Sequence, residues 1–235
     1  MIENYLKIGV FSILRLTPGS LGAKSDSRFY WALRKVRLKK TRRIFDEELA
    51  KLDRDATCID LGANVGKITE VLLTKVGRVY AFEPDPWSFS QLEEHLGQNE
   101  RAILLNKAIG SKDGVLKLYR DPTFEANREI RSQGTSAYYS ESWGLGEPEA
   151  FQVEMIDICR FLREVSGPIE ILKMDIEGAE LDVLERLLDA PEKDMVKTIF
   201  VETHEAQMPQ LRVRTKALRN RIRNLKQPRI FMNWQ

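Results

Sequence analysis

Cysteine and long apolar runs are both scarce in this sequence. The first argues against a disulfide-bonded protein, and the second argues against a membrane-spanning protein. The two cysteines, Cys58 and Cys159, lie inside apolar runs and form no C-x-x-C pair. Such residues are typical of buried thiols in a reducing compartment. No run reaches the roughly 18 apolar residues of a membrane-spanning helix. The apolar segment 8–14 is followed by Arg15 without a clear small-residue cleavage site. We therefore expect a cytoplasmic protein without a transmembrane segment.

A large net charge is also lacking, but charge of each sign is concentrated in different parts of the chain. The net charge is +2 overall, yet it is +9 over residues 1–43, −15 over residues 44–210 and +8 over residues 211–235. Basic ends on an acidic body indicate an anionic membrane surface or an anionic polymer as a partner. The alternative is that the basic residues form solvated helix faces that balance the body.

The third glycine of a dinucleotide-binding turn is missing as well. An apolar strand ends at Asp60, and the following turn carries Gly62 and Gly66 with Asn64 between them. A dinucleotide site uses G-x-G-x-x-G to bring a helix N-terminus against a pyrophosphate. A carboxylate in front of the turn repels a pyrophosphate but tolerates a cationic amino-acid ligand. The sequence therefore predicts S-adenosylmethionine as the cofactor and disfavours NAD.

The next predicted strand ends at Glu83, which we assign to the cofactor ribose. Its carboxylate is expected to accept charge-assisted hydrogen bonds from both ribose hydroxyls. The alternative is a strand-end acid that caps the following helix. Asp60 and Asn64 are expected to hold the methionine amino group, directly or through water, while Gly62 and Gly66 allow the backbone to approach the ligand closely.

Strands alternate with helices from residue 57 onward, which predicts an α/β fold with a parallel sheet and helices on both faces. Residues 1–55 are predicted to form a basic helical N-terminal extension, and residues 56–235 the main domain. The extension either lies on an anionic membrane or substrate, or packs as a lid on the sheet. The predicted strands are 57–61, 78–83, 102–109, 115–119, 151–156, 169–175 and 196–203, with an edge strand at 229–234; the predicted helices are 65–75, 86–97, 157–164, 178–189 and 209–226.

Three segments carry further motifs. The first combines residues 59–66 with Phe-Glu-Pro at 82–84, the second is Asn-Lys-Ala-Ile-Gly at 106–110 with Asp-Gly at 113–114, and the third contains Asp-Ile-Glu-Gly-Ala-Glu at 175–180. Together they resemble the FkbM-type S-adenosylmethionine-dependent methyltransferases over about residues 57–205. The resemblance implies a Rossmann-like class I methyltransferase fold, with a mostly parallel seven-stranded sheet and one antiparallel strand near an edge. Ligands of such sheets bind at the carboxyl ends of the strands.

Asp175 ends the predicted strand 169–175 and is expected to contact the cofactor and to face its methyl group. A hydroxyl acceptor needs a general base within hydrogen-bond reach, and the candidates are Asp175, Glu177, Glu202 and His204. His204 is attractive because its ordinary pKa is about 6.5, although a surface role is the alternative. These residues are also of metal-ligand type, but their spacing forms no recognised metal motif, so no metal site is predicted.

Two sets of residues are expected to complete the site. Ala108 and Ile109 either lie along the adenine at the end of the third strand or pack in the core. The loop over residues 121–149 carries Tyr138, Tyr139 and Trp143, which either stack on a sugar ring or fill the outer core.

These patterns predict an O-methyltransferase that moves a methyl group from S-adenosylmethionine to a hydroxyl of a saccharide or glycoconjugate. The acceptor class comes from the resemblance alone. One alternative is RNA methylation, which the basic ends motivate. Another is a cofactor-binding scaffold without catalysis. The expected partner is therefore a small-molecule or glycan acceptor, with nucleic acid or peripheral membrane contact as alternatives.

Overall fold

The computed structural model of the protein describes residues 36–120, 122–126, 128, 132, 135–136 and 149–234, and the fold below is that of the unit Leu38–Gln235. The predicted division of the chain between residues 55 and 56 stays a prediction, and the extension before residue 36 lies outside the described residues. Tyr138, Tyr139 and Trp143 also lie outside them.

Helices and strands alternate along the described chain, as the sequence predicts. The strands are β1 (Thr57–Leu61), β2 (Arg78–Phe82), β3 (Ala102–Leu105), β4 (Ala108–Gly110), β5 (Gly114–Arg120), β6 (Glu149–Asp157), β7 (Ile169–Met174), β8 (Val196–Val201) and β9 (Arg229–Phe231). The helices are α1 (residues 38–49 within this unit), α2 (Lys67–Leu73), α3 (Pro86–Leu96), α4 (Ile158–Glu164), α5 (Glu180–Leu188) and α6 (Arg212–Ile222).

The main sheet has six strands in the order β3-β2-β1-β7-β8-β9, and every neighbouring pair is parallel. The α/β class of fold and the mostly parallel sheet are therefore confirmed. The order reverses between β1 and β7, so their carboxyl ends form the crevice in which such sheets bind ligands.

The strand count differs from the predicted seven because part of the chain forms a second sheet. This sheet has three strands in the order β4-β6-β5, in which β6 pairs parallel to β4 and antiparallel to β5. The predicted single strand 102–109 is wrong: β3 ends at Leu105, and β4 begins at Ala108 in the other sheet. Between them the Asn106 side chain donates to the backbone oxygens of Glu83 (2.8 Å) and Pro84 (3.2 Å), which turns the chain away.

Hydrophobic clusters cover both faces of the main sheet. Alternate residues of β1 divide between them, with Cys58 in one cluster and Ile59 in the other. The Cys58 side joins α1, α2 and α3 through residues such as Phe45, whose ring centroid lies 4.6 Å from that of Trp234. The opposite side joins α4, α5 and α6. This pattern of burial on both faces is what a parallel sheet between two helical layers requires.

The structure also describes the two cysteines and the length of the apolar helices. Cys58 and Cys159 are free and buried. In the part of the chain that the structure describes, no helix is both long and apolar enough to cross a bilayer.

The basic C-terminal helix α6 is neutralised largely by neighbouring acids. Arg214 pairs with Asp182 and Glu185 of α5. Further along, Arg221 lies 2.6 Å from Asp189. These contacts support the view that the basic residues here balance the acidic body, which weakens the case for a polyanion on this helix.

Candidate active site

The turn after β1 depends on residues in the left-handed region of backbone conformation. Gly62, Asn64 and Gly66 have φ angles of 75°, 50° and 91°. A Cβ on Gly62 would lie 1.7 Å from the backbone oxygen of Asp175, so this position accepts no side chain without movement of the turn or of the end of β7. The turn and the end of β7 are thereby held in close backbone contact.

Asp60 is fully buried beneath this turn. It accepts a hydrogen bond of 2.7 Å from Thr69 Oγ1 and forms a 3.1 Å ion pair with the Nζ of Lys173. Lys173 also donates to the backbone oxygen of Gly62 at 2.6 Å. The predicted role of Asp60 at the methionine amino group stays a prediction, and the structure adds that its carboxylate already has two partners.

Lys173 was not among the predicted site residues, although a lysine among the apolar residues Ile171, Leu172 and Met174 is a signal that could have identified it. Its side chain is 4% exposed, and its Nζ lies 3.9 Å from Asp175 Oδ2. Burial alone would lower its pKa, but the charges of Asp60, Asp175 and Glu202 raise it above the ordinary value. Lys173 therefore carries a positive charge between the carboxylates at the ends of β1 and β7.

Glu83 and Asn64 are brought together at the end of β2. Glu83 Oε2 accepts a hydrogen bond of 2.7 Å from the Asn64 backbone N–H, and Oε1 accepts one of 2.8 Å from that of Asp85. Burial raises the pKa of Glu83 to about 8, although these hydrogen bonds oppose the shift. The alternative role of Glu83 as a helix cap belongs instead to Asp85, which accepts from Trp87 N and Ser88 N at the start of α3.

Arg120 ties the second sheet to this region and was not predicted. Its guanidinium donates to both carboxylate oxygens of Asp85, at 2.7 and 2.9 Å. It also lies over the rings of Phe124 and Phe151, at 4.7 and 4.6 Å from their centroids. Thr135 donates to the same carboxylate at 3.1 Å.

Ala108 and Ile109 lie on β4 and are buried. The side chain of Ile109 belongs to the hydrophobic cluster that contains Ile156 and Ile158. They do not end the third strand of the main sheet, which was the reason for placing them at the adenine. Their cofactor role stays a prediction.

A second group of acids gathers around His204, where β7 and β8 end. His204 Nε2 lies 3.3 Å from Glu177 Oε2 and 3.9 Å from Asp175 Oδ1, and Nδ1 lies 3.0 Å from Glu180 Oε1. Glu180 is 1% exposed, and its Oε1 accepts from the backbone N–H groups of Ile176 (2.9 Å) and Gly178 (3.2 Å). We call Asp175, Glu177, Glu180 and His204 the acid–histidine cluster.

The sequence identified three of these four residues as catalytic candidates, and Glu180 was not among them. Glu202, the remaining candidate, is buried at the end of β8, where its backbone N–H donates 2.9 Å to Met174. Its charge contributes to the raised pKa of Lys173. Glu177 has a φ of 51°, a strained conformation typical of functional loops.

Burial and mutual charge set the ionisation of the cluster. Burial alone would lower the pKa of His204, but Glu177 and Glu180 raise it to about 12. Burial raises the pKa of Asp175 and of Glu177, while His204 opposes both shifts. In the protein without ligands, His204 is therefore an imidazolium held between carboxylates and has no free lone pair with which to act as a base.

The exposed fraction of each side chain shows which members of the acid–histidine cluster a ligand can reach. The side chains of Asp175 and Glu177 are 28% and 30% exposed, whereas that of His204 is 4% exposed. The hydroxyl of Ser136 donates 2.6 Å to the Glu177 backbone oxygen and fixes this loop from the other side.

Comparison with known proteins identifies the family. Residues 60–226 match the methyltransferase FkbM domain. Methyltransferase sdnD of Sordaria araneosa is 26% identical over 210 residues, which are 77% of this chain and 81% of that protein. Hexuronic acid methyltransferase AglP of Haloferax volcanii is 26% identical over 159 residues, and the match covers 66% of this chain and 59% of that protein.

A crystal structure of methyltransferase FkbM from Methylobacillus flagellatus KT aligns with a TM-score of 0.36 at 19% identity, over 57% of this chain and 29% of that one. S-adenosylmethionine-dependent transfer is the general reaction of the family. Because the family match covers well over half of the chain, the chain belongs to the methyltransferase FkbM domain family and is a methyltransferase.

Proposed function

We propose that this protein binds S-adenosylmethionine at the carboxyl ends of β1, β2 and β7 and transfers its methyl group to a hydroxyl of a saccharide or glycoconjugate. The observation that carries the proposal is the placement of Glu83. Its buried carboxylate stands at the end of β2, held by backbone N–H groups of Asn64 and Asp85. Each carboxylate oxygen accepts more than one hydrogen bond, so both retain capacity for the ribose hydroxyls.

The charge of the crevice supports the same ligand. Asp60 and Asp175 place carboxylates at the ends of β1 and β7, and Lys173 pairs with Asp60 at 3.1 Å. Glu83 at the end of β2 has a pKa of about 8 and adds its negative charge once the ribose hydroxyls donate to it. The remaining negative charge favours a cofactor with a sulfonium and an ammonium group, and it disfavours a pyrophosphate. Gly62 and Asn64 complete the turn against which the methionine part would lie.

The methyl transfer itself needs an oxygen nucleophile and a proton acceptor. A lone pair of the acceptor oxygen forms the new O–C bond as the C–S bond breaks, and its electron pair remains on sulfur as S-adenosylhomocysteine. The hydroxyl proton passes to the carboxylate pair Asp175 and Glu177, because these are the exposed members of the acid–histidine cluster. His204, buried behind them, acts as a positioning residue.

A saccharide acceptor is supported by the relative from Haloferax volcanii, which is named as a hexuronic acid methyltransferase. Methylation of RNA finds less support, because the ion pairs of Arg214 and Arg221 already occupy much of the charge of α6. We place the reaction in the cytoplasm because Cys58 and Cys159 are free thiols.

Calorimetric titration with S-adenosylhomocysteine tests the cofactor site. Glu83→Gln is expected to weaken binding at least about tenfold, since hydrogen bonds to a charged group contribute about 1.5–3 kcal/mol. Glu94→Gln, on the exposed side of α3, is the matched control and should bind as the parent protein does. An intact parent protein that binds no S-adenosylhomocysteine would refute the proposal.

The acceptor is tested separately with methyl-labelled S-adenosylmethionine and a panel of uronic acids, neutral glycans and RNA. Transfer to a glycan hydroxyl, with none to RNA, is the expected result. Transfer to RNA alone would overturn the acceptor assignment while leaving the cofactor site intact. Cofactor binding without any transfer would favour the scaffold alternative.

A further inference from the structure

We propose that Asp175, Glu180 and His204 form a binding site for a divalent transition-metal ion at the carboxyl ends of β7 and β8. Each residue offers one ligand atom, and these atoms all lie within 4.8 Å of one another. Asp175 and Glu180 are five residues apart and His204 follows 24 residues later, a spacing that forms no recognised metal motif. The fold brings them together because β7 and β8 are parallel neighbours whose ends meet at one edge.

Two atoms of this group point to a missing partner. Asp175 Oδ1 is buried and has no hydrogen-bond partner. His204 Nδ1 is also buried without a hydrogen bond of acceptable geometry, and its contact within the cluster is the 3.0 Å ion pair with Glu180 Oε1, which an ion between the two atoms would replace. His204 is 5% exposed, so water does not readily supply the missing contacts. Buried polar atoms without partners are costly, and an ion coordinated by both atoms would remove that cost.

The other ring nitrogen already has the contact that metal-bound histidines usually make. His204 Nε2 lies 3.3 Å from Glu177 Oε2, and a carboxylate in this position orients the ring and leaves the opposite nitrogen for the metal. Glu180 is itself fixed by the backbone N–H groups of Ile176 and Gly178. The donor set is therefore preorganised on two strand ends and the start of α5.

The distances and donor types indicate the kind of ion. Bonds of about 2.0–2.2 Å place neighbouring ligands of one ion about 3 Å apart, and the 3.0 Å separation of His204 Nδ1 and Glu180 Oε1 matches this value. The three ligand atoms lie within 4.8 Å of one another, so the Asp175 carboxylate would move closer to the other two to bind the same ion. One imidazole with two carboxylates suits Mn²⁺, Fe²⁺, Co²⁺ or Zn²⁺ better than Ca²⁺. Binding of the ion replaces the proton on Nδ1.

Three protein ligands leave coordination positions open for water or for an acceptor hydroxyl. An acceptor oxygen on the ion would lose its proton more readily, and the nearby Glu177 carboxylate would take that proton. This role of the ion rests on the proposed function, whereas its binding does not.

Titration of the full chain with Mn²⁺ tests the site. The protein is treated with a chelator and desalted, and free Mn²⁺ is then counted by electron paramagnetic resonance at room temperature. We expect one Mn²⁺ per chain, with an affinity that falls at least about tenfold in His204→Gln. His95→Gln is the matched control, because the His95 side chain is 42% exposed and lies on α3, so it should bind as the parent does.

Several outcomes would overturn the proposal. A parent protein with a native circular dichroism spectrum and no Mn²⁺ uptake would do so, as would equal binding by His204→Gln. If His204→Gln fails to fold, the electron spin echo of Mn²⁺ on the parent protein decides, since an imidazole ligand gives a nitrogen modulation and its absence contradicts the site. Binding of S-adenosylhomocysteine is measured in the same samples to distinguish the metal proposal from the cofactor proposal. Protein that binds S-adenosylhomocysteine but takes up no Mn²⁺ would refute the metal site and leave the cofactor site standing.

Discussion

Substitution of Lys173 by methionine gives a sharp test of how the crevice is held together. The side chains of Lys173 and Asp60 are 4% and 0% exposed, and their charged atoms lie 3.1 Å apart. Methionine fills a similar volume but cannot carry the charge. Asp60 would keep its hydrogen bond from Thr69 and would otherwise face the low-dielectric interior as an unpaired carboxylate. The Gly62 backbone oxygen would also lose its 2.6 Å donor.

The expected cost is about 3–5 kcal/mol of unfolding free energy, which is typical when one member of a buried ion pair is removed. That is a large part of the roughly 5–15 kcal/mol that stabilises a domain. Adding Asp60→Asn removes the unpaired charge, so the double variant should recover part of this loss. Urea unfolding at pH 7, analysed by linear extrapolation, measures all three proteins.

The neighbouring strand offers a matched control. Lys197 on β8 pairs with Glu170 at 2.6 Å, but its side chain is 52% exposed, so Lys197→Met should cost no more than about 1 kcal/mol. Equal losses in Lys173→Met and Lys197→Met would refute the claim that burial makes the first pair important. So would a double variant no more stable than Lys173→Met alone.

Three further predictions concern the same crevice. Because the pKa of Glu83 rises from 4.5 when unfolded to about 8 when folded, the folded protein binds the extra proton and stability should fall between pH 5 and 8, by at most about 1.4 kcal/mol per pH unit; Glu83→Gln should flatten that slope in urea titrations, and parallel slopes would contradict it. Gly62→Ala should cost several kcal/mol more than Gly167→Ala, since both glycines have positive φ (75° and 86°) but only the first would place a Cβ 1.7 Å from a backbone oxygen, that of Asp175, whereas nothing lies within 4 Å of the second; similar melting temperatures would argue against this contact. Asp175→Asn should lower kcat about 10²- to 10⁴-fold with little change in melting temperature. Glu180→Gln should instead lower the melting temperature, because it weakens the loop contacts of a 1% exposed carboxylate. The opposite pattern would make Glu180 the catalytic carboxylate and Asp175 the structural one.

The order of elements and the main motifs could be predicted because local sequence determines them. Apolar runs of strand length that end in acids fixed β1, β2 and β7 to within a residue or so of their observed ends. The predicted helix 86–97 matches α3 closely, since its start is determined locally: Asp85 precedes Pro86 and accepts the capping hydrogen bonds of Trp87 and Ser88. Glu83, Asn64 and Asp175 could be selected as candidates because polar residues follow apolar strands at these positions, and their roles stay predictions.

Other features depend on contacts between distant residues and leave little local trace. Leu105 and Ala108 lie in the same predicted strand, 102–109, yet they belong to different sheets, because β4 pairs with residues of β6 more than forty positions later. The contact of Arg120 with Asp85 likewise joins two sheets. His204 looked like a free base because nothing near it in sequence shows that Glu177 and Glu180 surround it.

The two buried cations divide the carboxylates of the crevice between them, and Asp175 is shared. Lys173 makes its short contacts to Asp60, and His204 makes its own to Glu177 and Glu180. Asp175 lies 3.9 Å from each cation, through different oxygens, so neither neutralises it fully. A carboxylate left undercompensated at the reversal point of the sheet attracts whatever positive charge enters the crevice, whether a sulfonium or a metal ion. Asp175, which lies 3.9 Å from both cations, is therefore also the carboxylate that we expect to face the methyl group.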